Sequence, residues 1–438
     1  MEQTIFALST GQVKAAVAII RVSGPLAWAV SRMFCKKNLS PRRAELVDFF
    51  DPKTSEYLDV GLIIWFPGPH SYTGEDVVEF QLHGSSAVTS ALLSALSGIS
   101  GLRLAEVGEF TRRAFQNDKM SLDTVEGLAD LLEADTQYER RQALHRMQGN
   151  FGNVADIWRL NLVEVRALIE ASLDFTEEAD IPQDVIAEVI DRLRSMTANV
   201  SAAIKNARRQ EILRGGFLVL IAGPPNVGKS TLLNCLVQRE VAITSQFAGT
   251  TRDLIEVPLN LGGMRVVLVD SAGLRDTDDP IEKIGLSKAA LCAKEADLVL
   301  WLSDETQQAP SIEFLAESSA KLVVVSGKCD LSSGPYAGLP ISAITGSGIT
   351  ALLDVISEEA KLFFSRFEGG PVIRHRQLLV AESLLENLEN SIVHATTGAL
   401  ELCAEDLALG TQRLSALVEV TTSEDVLDEV FHRFCLGK

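Results

Sequence analysis

Short apolar runs alternate with a helical stretch along the first 118 residues. The runs Val17 to Val22, Gly61 to Phe66 and Val77 to Leu82 have the length of strands, and Ala87 to Leu96 has a helical spacing. This mixture predicts a small α/β domain over residues 1–118. Arg21 lies within the first run, where a charge needs a partner or a ligand. The alternative is an edge strand on which Arg21 faces water.

Two helical segments flank the centre of the chain. Apolar residues recur every three or four positions from Leu122 to Arg214, and the same pattern returns at 378–388, 400–417 and 426–434. In the first segment the pattern is carried by Val125, Leu128, Leu131, Leu132, Leu160, Val163, Leu168 and Ile169. We interpret the two segments, 119–214 and 369–438, as one helical domain that is discontinuous in sequence, with another domain inserted. Two separate small bundles are the alternative.

The inserted residues 215–368 alternate strand-like runs with helical stretches. The runs are Phe217 to Ala222, Arg265 to Asp270, Ala296 to Asp304, Lys321 to Val325 and Leu339 to Ser342. Their alternation with helices predicts a doubly wound sheet. The pair Asp253 to Leu261 and Met264 to Asp270, joined at Gly262-Gly263, predicts a hairpin that adds an antiparallel edge. The predicted fold class is therefore α/β and α, in several domains.

Composition limits the classes of protein that fit. A chain of 438 residues with 46% hydrophobic residues supports about three domains with sizeable cores. No apolar run approaches the roughly 18 residues of a membrane span, and Met1-Glu2-Gln3-Thr4 lacks the basic start of a secretory signal, so we expect a cytoplasmic protein. The net charge of −19 means that local patches or another subunit would have to hold any nucleic acid.

The cysteines indicate no disulfide framework and no zinc site. The six residues are widely scattered and form no C-x-x-C pair. They are Cys35, Cys235, Cys292, Cys329, Cys403 and Cys435. Reduced thiols are the expectation.

The segment Gly223-Pro224-Pro225-Asn226-Val227-Gly228-Lys229-Ser230, hereafter the phosphate loop, matches the pattern G-x-x-x-x-G-K-[ST]. It follows a β-prone apolar run and precedes a predicted helix, which is the context that the motif requires. Backbone N–H groups of such a loop bind phosphate oxygens, Lys229 reaches the terminal phosphates, and the Ser230 hydroxyl ligates Mg²⁺. The sequence therefore predicts a nucleotide-binding site.

Further motifs follow the phosphate loop in an order that resembles a Ras-like, translation-factor-type GTPase. They are Gly249-Thr250-Thr251-Arg252-Asp253, Asp270-Ser271-Ala272-Gly273, Gly327-Lys328-Cys329-Asp330 and Ser342-Ala343. By this resemblance Thr251 and Ser230 would ligate Mg²⁺, Asp270 would act on it through water, and the Gly273 amide would sense the γ-phosphate. Asp330 accepts hydrogen bonds from guanine, which adenine cannot supply, so GTP is favoured over ATP. Gly327 replaces the asparagine of the family's N-K-x-D motif.

By the same resemblance we assign nucleotide contacts to Asn226, Val227, Gly228, Lys229, Ser230, Thr231, Ser245, Gln246, Phe247, Ala248, Gly249, Thr250, Thr251, Asp270, Ser271, Ala272, Gly273, Lys328 and Asp330.

Four further segments resemble the MnmE (TrmE) family of tRNA modification GTPases. They are Phe110-Thr111-Arg112-Arg113-Ala114-Phe115 with Asn117-Asp118-Lys119, Tyr72-Thr73-Gly74-Glu75-Asp76, Gly273-Leu274-Arg275, and the terminal Phe434-Cys435-Leu436-Gly437-Lys438. The likeness runs from residue 4 to the last residue and includes the inserted domain.

The resemblance implies a function, partners and a second ligand. Family members form homodimers and act with the flavoprotein MnmG, which carries FAD, in an expected heterotetramer. Their substrate is C5 of the wobble uridine of tRNA, and we expect no association with a membrane. A 5-formyl or 5,10-methylene tetrahydrofolate supplies the one-carbon unit. Its binding residues correspond to Arg21, Glu79, Lys119 and Lys438, and Cys435 belongs to the same terminal motif. Where the family has a glycine-rich segment, this chain has Gln12 to Val17.

Hydrolysis needs a positioned water and a cation near the β–γ bridge. Leu274 stands where a Ras-like catalytic glutamine would be, and the resemblance assigns the water to Glu282, for which a solvated acid is the alternative. No motif places an arginine finger in cis. We therefore expect GTP hydrolysis to depend on K⁺ and on pairing of two nucleotide domains. By resemblance the potassium ligands would be Asn226, Ser245, Phe247 and Thr250; the alternative for Asn226 is a loop brace without an ion.

Two rival functions remain at this point. One is a regulatory GTPase associated with RNA or ribosomes, which lacks folate chemistry and is distinguished by folate binding. The other is a P-loop ATPase, which Asp330 disfavours.

Overall fold

A computed structural model describes residues 3–11, 13–148, 150–174, 183–224, 226–239, 256–270, 294–303, 320–331, 336–365, 375–418, 424–434 and 437. Contacts between residues divide the chain into two units. The N-terminal unit comprises Met1–Leu132, Leu144–Gly152 and Ala416–Lys438, and the central unit comprises Glu133–Ala143 and Asn153–Ser415. None of the helices in the described ranges combines the length and apolar character of a membrane span.

The N-terminal unit contains one six-stranded sheet with the order β3-β4-β5-β2-β1-β6. The first elements of the chain are β1 (Thr4–Leu8), β2 (Val17–Ser23), α1 (Ala27–Cys35), β3 (Glu45–Phe50), β4 (Tyr57–Phe66), β5 (Val77–His83), α2 (Ser86–Ser97), β6 (Leu102–Leu104), α3 (Glu109–Gln116) and α4 (Leu122–Glu133). Strand β1 pairs with β6 in parallel, and the other neighbours are antiparallel. The predicted α/β organisation of this part is confirmed, but β1, β3, β6, α1 and α3 were not predicted.

The two faces of this sheet differ because side chains alternate along each strand. One face packs Phe6, Ile20 and Phe80 against Phe34 of α1 and Leu92 of α2, and all five side chains are buried. The opposite face carries Arg21 next to Ala7 of β1 and Glu79 of β5. Since β2 lies between β5 and β1, the alternative of an edge strand for Arg21 is wrong.

The remaining elements are α5 (Gln137–Met147), α6 (Asn150–Asp174), α7 (Gln183–Arg214), β7 (Phe217–Ala222), α8 (Lys229–Arg239), β8 (Glu256–Leu261), β9 (Met264–Asp270), β10 (Leu298–Ser303), β11 (Lys321–Ser326), β12 (Leu339–Pro340), α9 (Ile349–Ser365), α10 (His375–Thr397), α11 (Leu400–Val418) and α12 (Glu424–His432).

Helices from both sides of the inserted domain pack together in the central unit. Arg208 of α7 forms an ion pair with Glu382 of α10 at 2.7 Å. A Cβ placed on Gly410 of α11 would contact Leu384 of α10 at 3.1 Å and Leu162 of α6 at 3.7 Å. These contacts favour one discontinuous helical domain over two separate bundles. Helices α4 and α12 cluster instead with the N-terminal unit.

The inserted domain is built on a sheet with the order β12-β11-β10-β7-β9-β8. All neighbours are parallel except β8 and β9, which form the antiparallel hairpin predicted from the sequence, with its turn at Gly262-Gly263. The five predicted strands of the sheet are present within two residues of their predicted ends. Strands β7 and β10 are neighbours. The strands that follow β7 in sequence, β8 and β9, lie on one side of this pair, and those that follow β10, β11 and β12, lie on the other side. This is the switch point at which such folds bind ligands.

In the N-terminal unit, α12 packs on α3 and α4. Phe431 and Val430 of α12 share a buried cluster with Phe115 of α3 and Val125 of α4. A Cβ on Gly108, at the start of α3, would lie 2.5 Å from the Phe431 carbonyl oxygen. The chain beyond α12 ends beside β1, where the Ser9 hydroxyl donates to the Gly437 carbonyl at 3.1 Å.

Candidate functional site

The phosphate loop connects β7 to α8 at the switch point of the central sheet. The Lys229 ammonium donates to the carbonyls of Gly223 and Pro224, both at 2.9 Å, and the residue is 8% exposed. These two bonds hold the charge within the curve of the loop at the N-terminus of α8. A buried ammonium beside a helix N-terminus suits an anion with several oxygens.

Two oxygen ligands meet beside the loop. The Ser230 hydroxyl donates to Asp270 Oδ2 at 2.7 Å. Asp270 is buried at the last position of β9, in register with Ile221 of β7, so the parallel pairing of the two strands brings its carboxylate to the loop. A hydroxyl and a carboxylate are ligand types that Mg²⁺ prefers, so this pair fits the cation of a bound nucleotide.

A cavity of about 140 Å³ lies next to the phosphate loop. Its lining residues are Val227, Gly228, Thr231, Leu232, Leu302, Gly327, Lys328, Asp330, Leu331, Ile341, Ser342, Ala343 and Ile344. Asp330 is exposed there, and the Lys328 ammonium donates to the Asn226 carbonyl at 3.1 Å, which ties the two loops together. Apolar walls with one carboxylate suit a flat base that presents adjacent N–H donors, as guanine does.

The cavity adds residues that sequence reasoning missed. Leu232, Leu302 and Leu331 line it and were not among the predicted contacts. Leu302 lies in β10, the strand next to β7, so its place in an apolar run that ends near the switch point was the available signal.

Gly327 has room for a side chain. A Cβ there would lie 3.4 Å from Leu302 Cδ1, 3.5 Å from the Ser303 carbonyl and 3.6 Å from the Val227 carbonyl, which are ordinary contacts. We expect Gly327→Asn to tighten GDP and GTP binding roughly two- to tenfold, because one added amide hydrogen bond to the phosphate loop is worth about 0.5–1.5 kcal/mol. Calorimetric titration measures it, with Gly327→Ala as the control that adds only the Cβ. Equal affinities for the asparagine and alanine variants would contradict this expectation.

Many predicted nucleotide and metal contacts lie outside the described residues. They are Ser245, Gln246, Phe247, Ala248, Gly249, Thr250, Thr251, Ser271, Ala272, Gly273 and Glu282. Those that the structure brings together are Asn226, Val227, Gly228, Lys229, Ser230, Thr231, Asp270, Lys328 and Asp330.

A second group of predicted residues lies on the open face of the N-terminal sheet. Arg21 donates to Glu79 Oε1 from Nε at 3.1 Å and from Nη2 at 2.9 Å. The guanidinium lies over the rings of Tyr72 and Phe110, 5.0 Å and 5.7 Å from their centroids. The side chains of Arg21 and Glu79 remain 18% and 16% exposed, so this pair, hereafter the polar pair, is held in place and still reaches solvent.

The segment Tyr72 to Asp76 is fixed by buried charges. Arg113 donates to both oxygens of Glu75 at 3.0 Å and 3.1 Å, and the Ser23 hydroxyl donates to Glu75 at 2.6 Å. Arg113 also pairs with Glu109 at 2.9 Å. Burial alone would raise the pKa of Glu109, but hydrogen bonds from Arg103, from the Glu106 amide and from Arg113 bring that pKa below its ordinary value. Glu109 therefore stays ionised at neutral pH.

This segment also touches Lys119. A Cβ on Gly74 would lie 3.2 Å from Lys119 Cε, so the lysine stem passes beside the loop whose Tyr72 covers Arg21. Burial raises the pKa of Tyr72, and its hydroxyl remains neutral as a partner of Thr111 at 2.9 Å. Sequence reasoning assigned no role to Tyr72.

Gly437, near the end of the chain, lies next to the residue that follows β1. Gly437 contacts Ser9, which lies two residues along the chain from Ala7, the strand neighbour of Arg21. Because two residues of a strand span about 7 Å, Ser9 lies about that far along the chain from Ala7. Lys438 and Cys435 lie outside the described residues.

A mainly parallel sheet with a phosphate loop at its switch point, a serine–aspartate pair beside the loop and a carboxylate in the cavity next to it defines a P-loop GTPase. The family model described as GTP-binding protein TrmE N-terminus matches residues 4–119, and the MnmE helical domain model matches residues 122–435. The chain therefore belongs to the MnmE (TrmE) family of tRNA modification GTPases, as its motifs predicted.

Similar proteins match over the full length. The tRNA modification GTPase MnmE of Bradyrhizobium sp. (strain ORS 278) is 43% identical, with 100% of this chain and 99% of that protein covered. That of Beijerinckia indica subsp. indica is 44% identical, with 100% and 96% covered. Among solved structures, a variant of Aquifex aeolicus Era bound to GDP.AlF4- is 26% identical over 39% of this chain and 66% of that chain, with a TM-score of 0.27.

Proposed function

We propose that this GTPase drives modification of the wobble uridine of tRNA at C5, with a tetrahydrofolate as the source of one carbon. One observation carries the proposal: the same chain contains both the nucleotide site and the polar pair. This chain also matches its relatives over nearly their whole length. Relatives are named for tRNA modification, and the reaction is assigned to this chain by that relation. The proposed compartment is the cytoplasm.

The proposed division of labour follows the domains. Residues 1–118 bind folate, 119–214 and 369–438 form the helical domain, and 215–368 hydrolyse GTP. The proposed partners are a second copy of the chain, the flavoprotein MnmG with its FAD, and tRNA. Because the net charge is −19, binding of tRNA would depend on local basic patches and on the partner.

The chemistry of the polar pair supports the folate assignment. Glu79 is a carboxylate that accepts hydrogen bonds, as the amide-like donors of a pterin require. Arg21 and Lys119 are cations that complement the glutamate tail of folate, and Lys438 would add a third. Because Glu79 already accepts two bonds from Arg21 through Oε1, its Oε2 is the oxygen through which it would bind the ligand.

For hydrolysis we propose that Mg²⁺ is held by Ser230 and Thr251, with Asp270 acting through water, and that Glu282 orients the attacking water. K⁺ supplies the charge that an arginine finger gives elsewhere. Its proposed ligands are Asn226, Ser245, Phe247 and Thr250, and a second copy closes the loop over it. The described member of this set, Asn226, is exposed with φ of 59° at the edge of the phosphate loop.

We expect GTP turnover to rise at least roughly tenfold when Na⁺ is replaced by K⁺, since loss of a transition-state cation costs at least about 1.4 kcal/mol. Asn226→Ala should lose most of this gain and still bind nucleotide. Asn226→Gly is the companion variant, because it tolerates the positive φ without the amide oxygen. Phosphate release at equal ionic strength is the measurement. Equal rates in the two salts would remove the potassium role.

A further inference from the structure

Residues 32–43, hereafter the basic segment, carry a local excess of positive charge. Five of these twelve residues are cationic and none is acidic, in a chain whose net charge is −19. The segment runs from the last turn of α1 to the start of β3, and all five cations are exposed. They are Arg32, Lys36, Lys37, Arg42 and Arg43. A concentration of cations on an acidic chain attracts a polyanion to one place on its surface.

Contacts of its own backbone hold the basic segment in one conformation. The Lys36 amide donates to the Arg32 carbonyl at 3.0 Å and ends α1, with Lys36 in the left-handed region at φ of 49°. Leu39, in the middle of the segment, is 5% exposed and packs in the core of the N-terminal unit. The Arg42 amide donates to the Trp65 carbonyl of β4 at 2.8 Å. Cations on a fixed backbone lose less conformational freedom when they bind a ligand.

The nearest carboxylates leave most of these cations unpaired. Glu45 accepts the Ser40 amide at 2.8 Å and pairs with Lys37 at 2.9 Å. Asp51, which follows β3, accepts two backbone amides of the next turn at 2.7 Å and 3.0 Å. Among the described residues, only Lys37 of the segment has a carboxylate within ion-pair distance. The other four cations are therefore available to a partner outside the chain.

The exposed helices of the central unit show the contrast, because their arginines are paired with carboxylates at 2.7 Å. The pairs are Arg166 with Glu170, Arg192 with Glu188, and Arg208 with Glu382.

Two structural roles account for only part of the basic segment. Cations at the C-terminus of a helix stabilise it, which explains Arg32 and Lys36 on α1. Lysines on an edge strand prevent its pairing with another chain. The cations precede the edge strand β3, however, and the exposed side chains of that strand are Leu46 and Asp48. Neither role explains the arginine pair that precedes β3.

The charge of the segment favours RNA as the partner. A second copy of the chain that used the same surface would oppose five cations to five cations, which is unfavourable. An RNA backbone presents one phosphate per nucleotide, and arginine binds phosphate through two hydrogen bonds. Relatives of this chain are named for tRNA modification. These points favour a nucleic acid over an acidic protein.

The basic segment also lies in the part of the chain that carries the polar pair. In the N-terminal sheet, β3 is separated from β2, the strand of Arg21, by β4 and β5. Three strand spacings amount to about 14 Å. A nucleic acid held at this edge of the sheet would be close to the proposed folate site.

We propose that the basic segment binds the phosphate backbone of the tRNA substrate. The proposal rests on the proposed function, which assigns tRNA to this chain, and adds the surface that holds it. Because the contacts are to phosphates, they position the tRNA and do not read its bases. Each contact releases a counterion and makes binding more sensitive to salt.

Binding of a fluorescently labelled tRNA to the full chain, measured between roughly 50 and 200 mM KCl, tests the proposal. The triple variant Arg32→Gln, Lys36→Gln and Arg43→Gln keeps Lys37 and Arg42, whose side chains bond to Glu45 and to a backbone carbonyl. We expect this variant to bind tRNA at least about fivefold more weakly. The slope of log K against log salt should become shallower by about 2 to 3, because each lost phosphate contact removes about 0.7–0.9. The loss should be the same for tRNAs with and without a wobble uridine.

The matched control replaces Arg159, Arg194 and Lys205 by glutamine, which removes the same number of arginines and lysines from helices of the central unit. It should change the slope by less than about 1. A second control exchanges lysine and arginine at the three positions of the triple variant and should keep the slope, because the charge is unchanged. GTP affinity should be equal in all these proteins and reports that the variants are folded.

An unchanged slope in the triple variant, or an equal loss in the matched control, overturns the proposal. A triple variant that loses wobble-uridine modification in cells but binds tRNA as before also overturns it, since the segment would then serve an acidic protein. Failure of the proposed function is recognised separately. If cells without the protein keep the modified uridines, that function is contradicted, while the salt dependence still decides whether the segment binds RNA.

Discussion

Replacing Asp330 by asparagine is expected to lower GTP affinity at least about 100-fold and to create binding of xanthosine triphosphate. The Asp330 carboxylate lines the cavity next to the phosphate loop, where we propose that it accepts two hydrogen bonds from guanine, each worth about 1.5–3 kcal/mol because the acceptor is charged. An asparagine amide presents a donor where guanine also presents one, and that donor matches the carbonyl of xanthine. Competition of the two nucleotides against a fluorescent GDP analogue measures the change.

The control for this variant is Asp354→Asn, which makes the same substitution at an exposed position of α9. It should leave GTP affinity unchanged. Binding of ATP as tight as that of GTP by the unchanged chain would contradict the guanine assignment. Retention of full GTP affinity in Asp330→Asn would remove Asp330 from the base contact.

Gly437→Ala is expected to weaken binding of 5-formyltetrahydrofolate at least roughly tenfold without a change in GTP affinity. Gly437 has φ of +96°, and a Cβ there would lie 2.1 Å from the Leu8 carbonyl oxygen and 3.0 Å from Ser9 Cα. These neighbours are backbone atoms at the end of β1 and in the residue that follows it, so we expect the segment around Gly437 to move instead. Loss of the one charge-assisted bond that we propose for Lys438 would account for about 1.5–3 kcal/mol.

Isothermal titration with each ligand measures this separation, and deletion of Lys438 should reproduce the loss of folate affinity. Gly398→Ala is the matched control, because Gly398 has φ of +80° with no atom within 4 Å of the added Cβ. The Gly398 variant has the same strain from an alanine at positive φ, but its Cβ displaces no neighbouring atom. Unchanged folate affinity in both the Gly437 and Lys438 variants would mean that the terminus does not bind this ligand.

The central sheet could be predicted well because its strands are covered on both faces. Runs such as Phe217 to Ala222 are continuously apolar, and a phosphate loop directly after one of them fixes the switch point. The turn Gly262-Gly263 likewise identified its hairpin. In contrast, β3 alternates exposed and buried positions at an edge of the N-terminal sheet, and a six-residue pattern of this kind is weak in a single sequence.

Partners that are distant in sequence were not predictable. Arg21 and Glu79 lie in neighbouring strands, and only the strand register places them opposite each other. The resemblance named both residues as folate ligands but did not indicate that they bond to each other. Tyr138 of α5 shows the same limit, because it is buried in the core of the inserted domain and nothing in the sequence indicates that a residue so far upstream enters that core.

Nucleoside analysis of tRNA tests the central claim, a GTPase of wobble-uridine modification, most directly. Cells that lack the protein are compared with cells that carry the unchanged chain or Lys229→Ala, which removes the ammonium held by Gly223 and Pro224. We predict that the C5 aminomethyl and carboxymethylaminomethyl uridines disappear without the protein, return with the unchanged chain and stay absent with Lys229→Ala. Undiminished levels of these nucleosides in cells without the protein would contradict the claim.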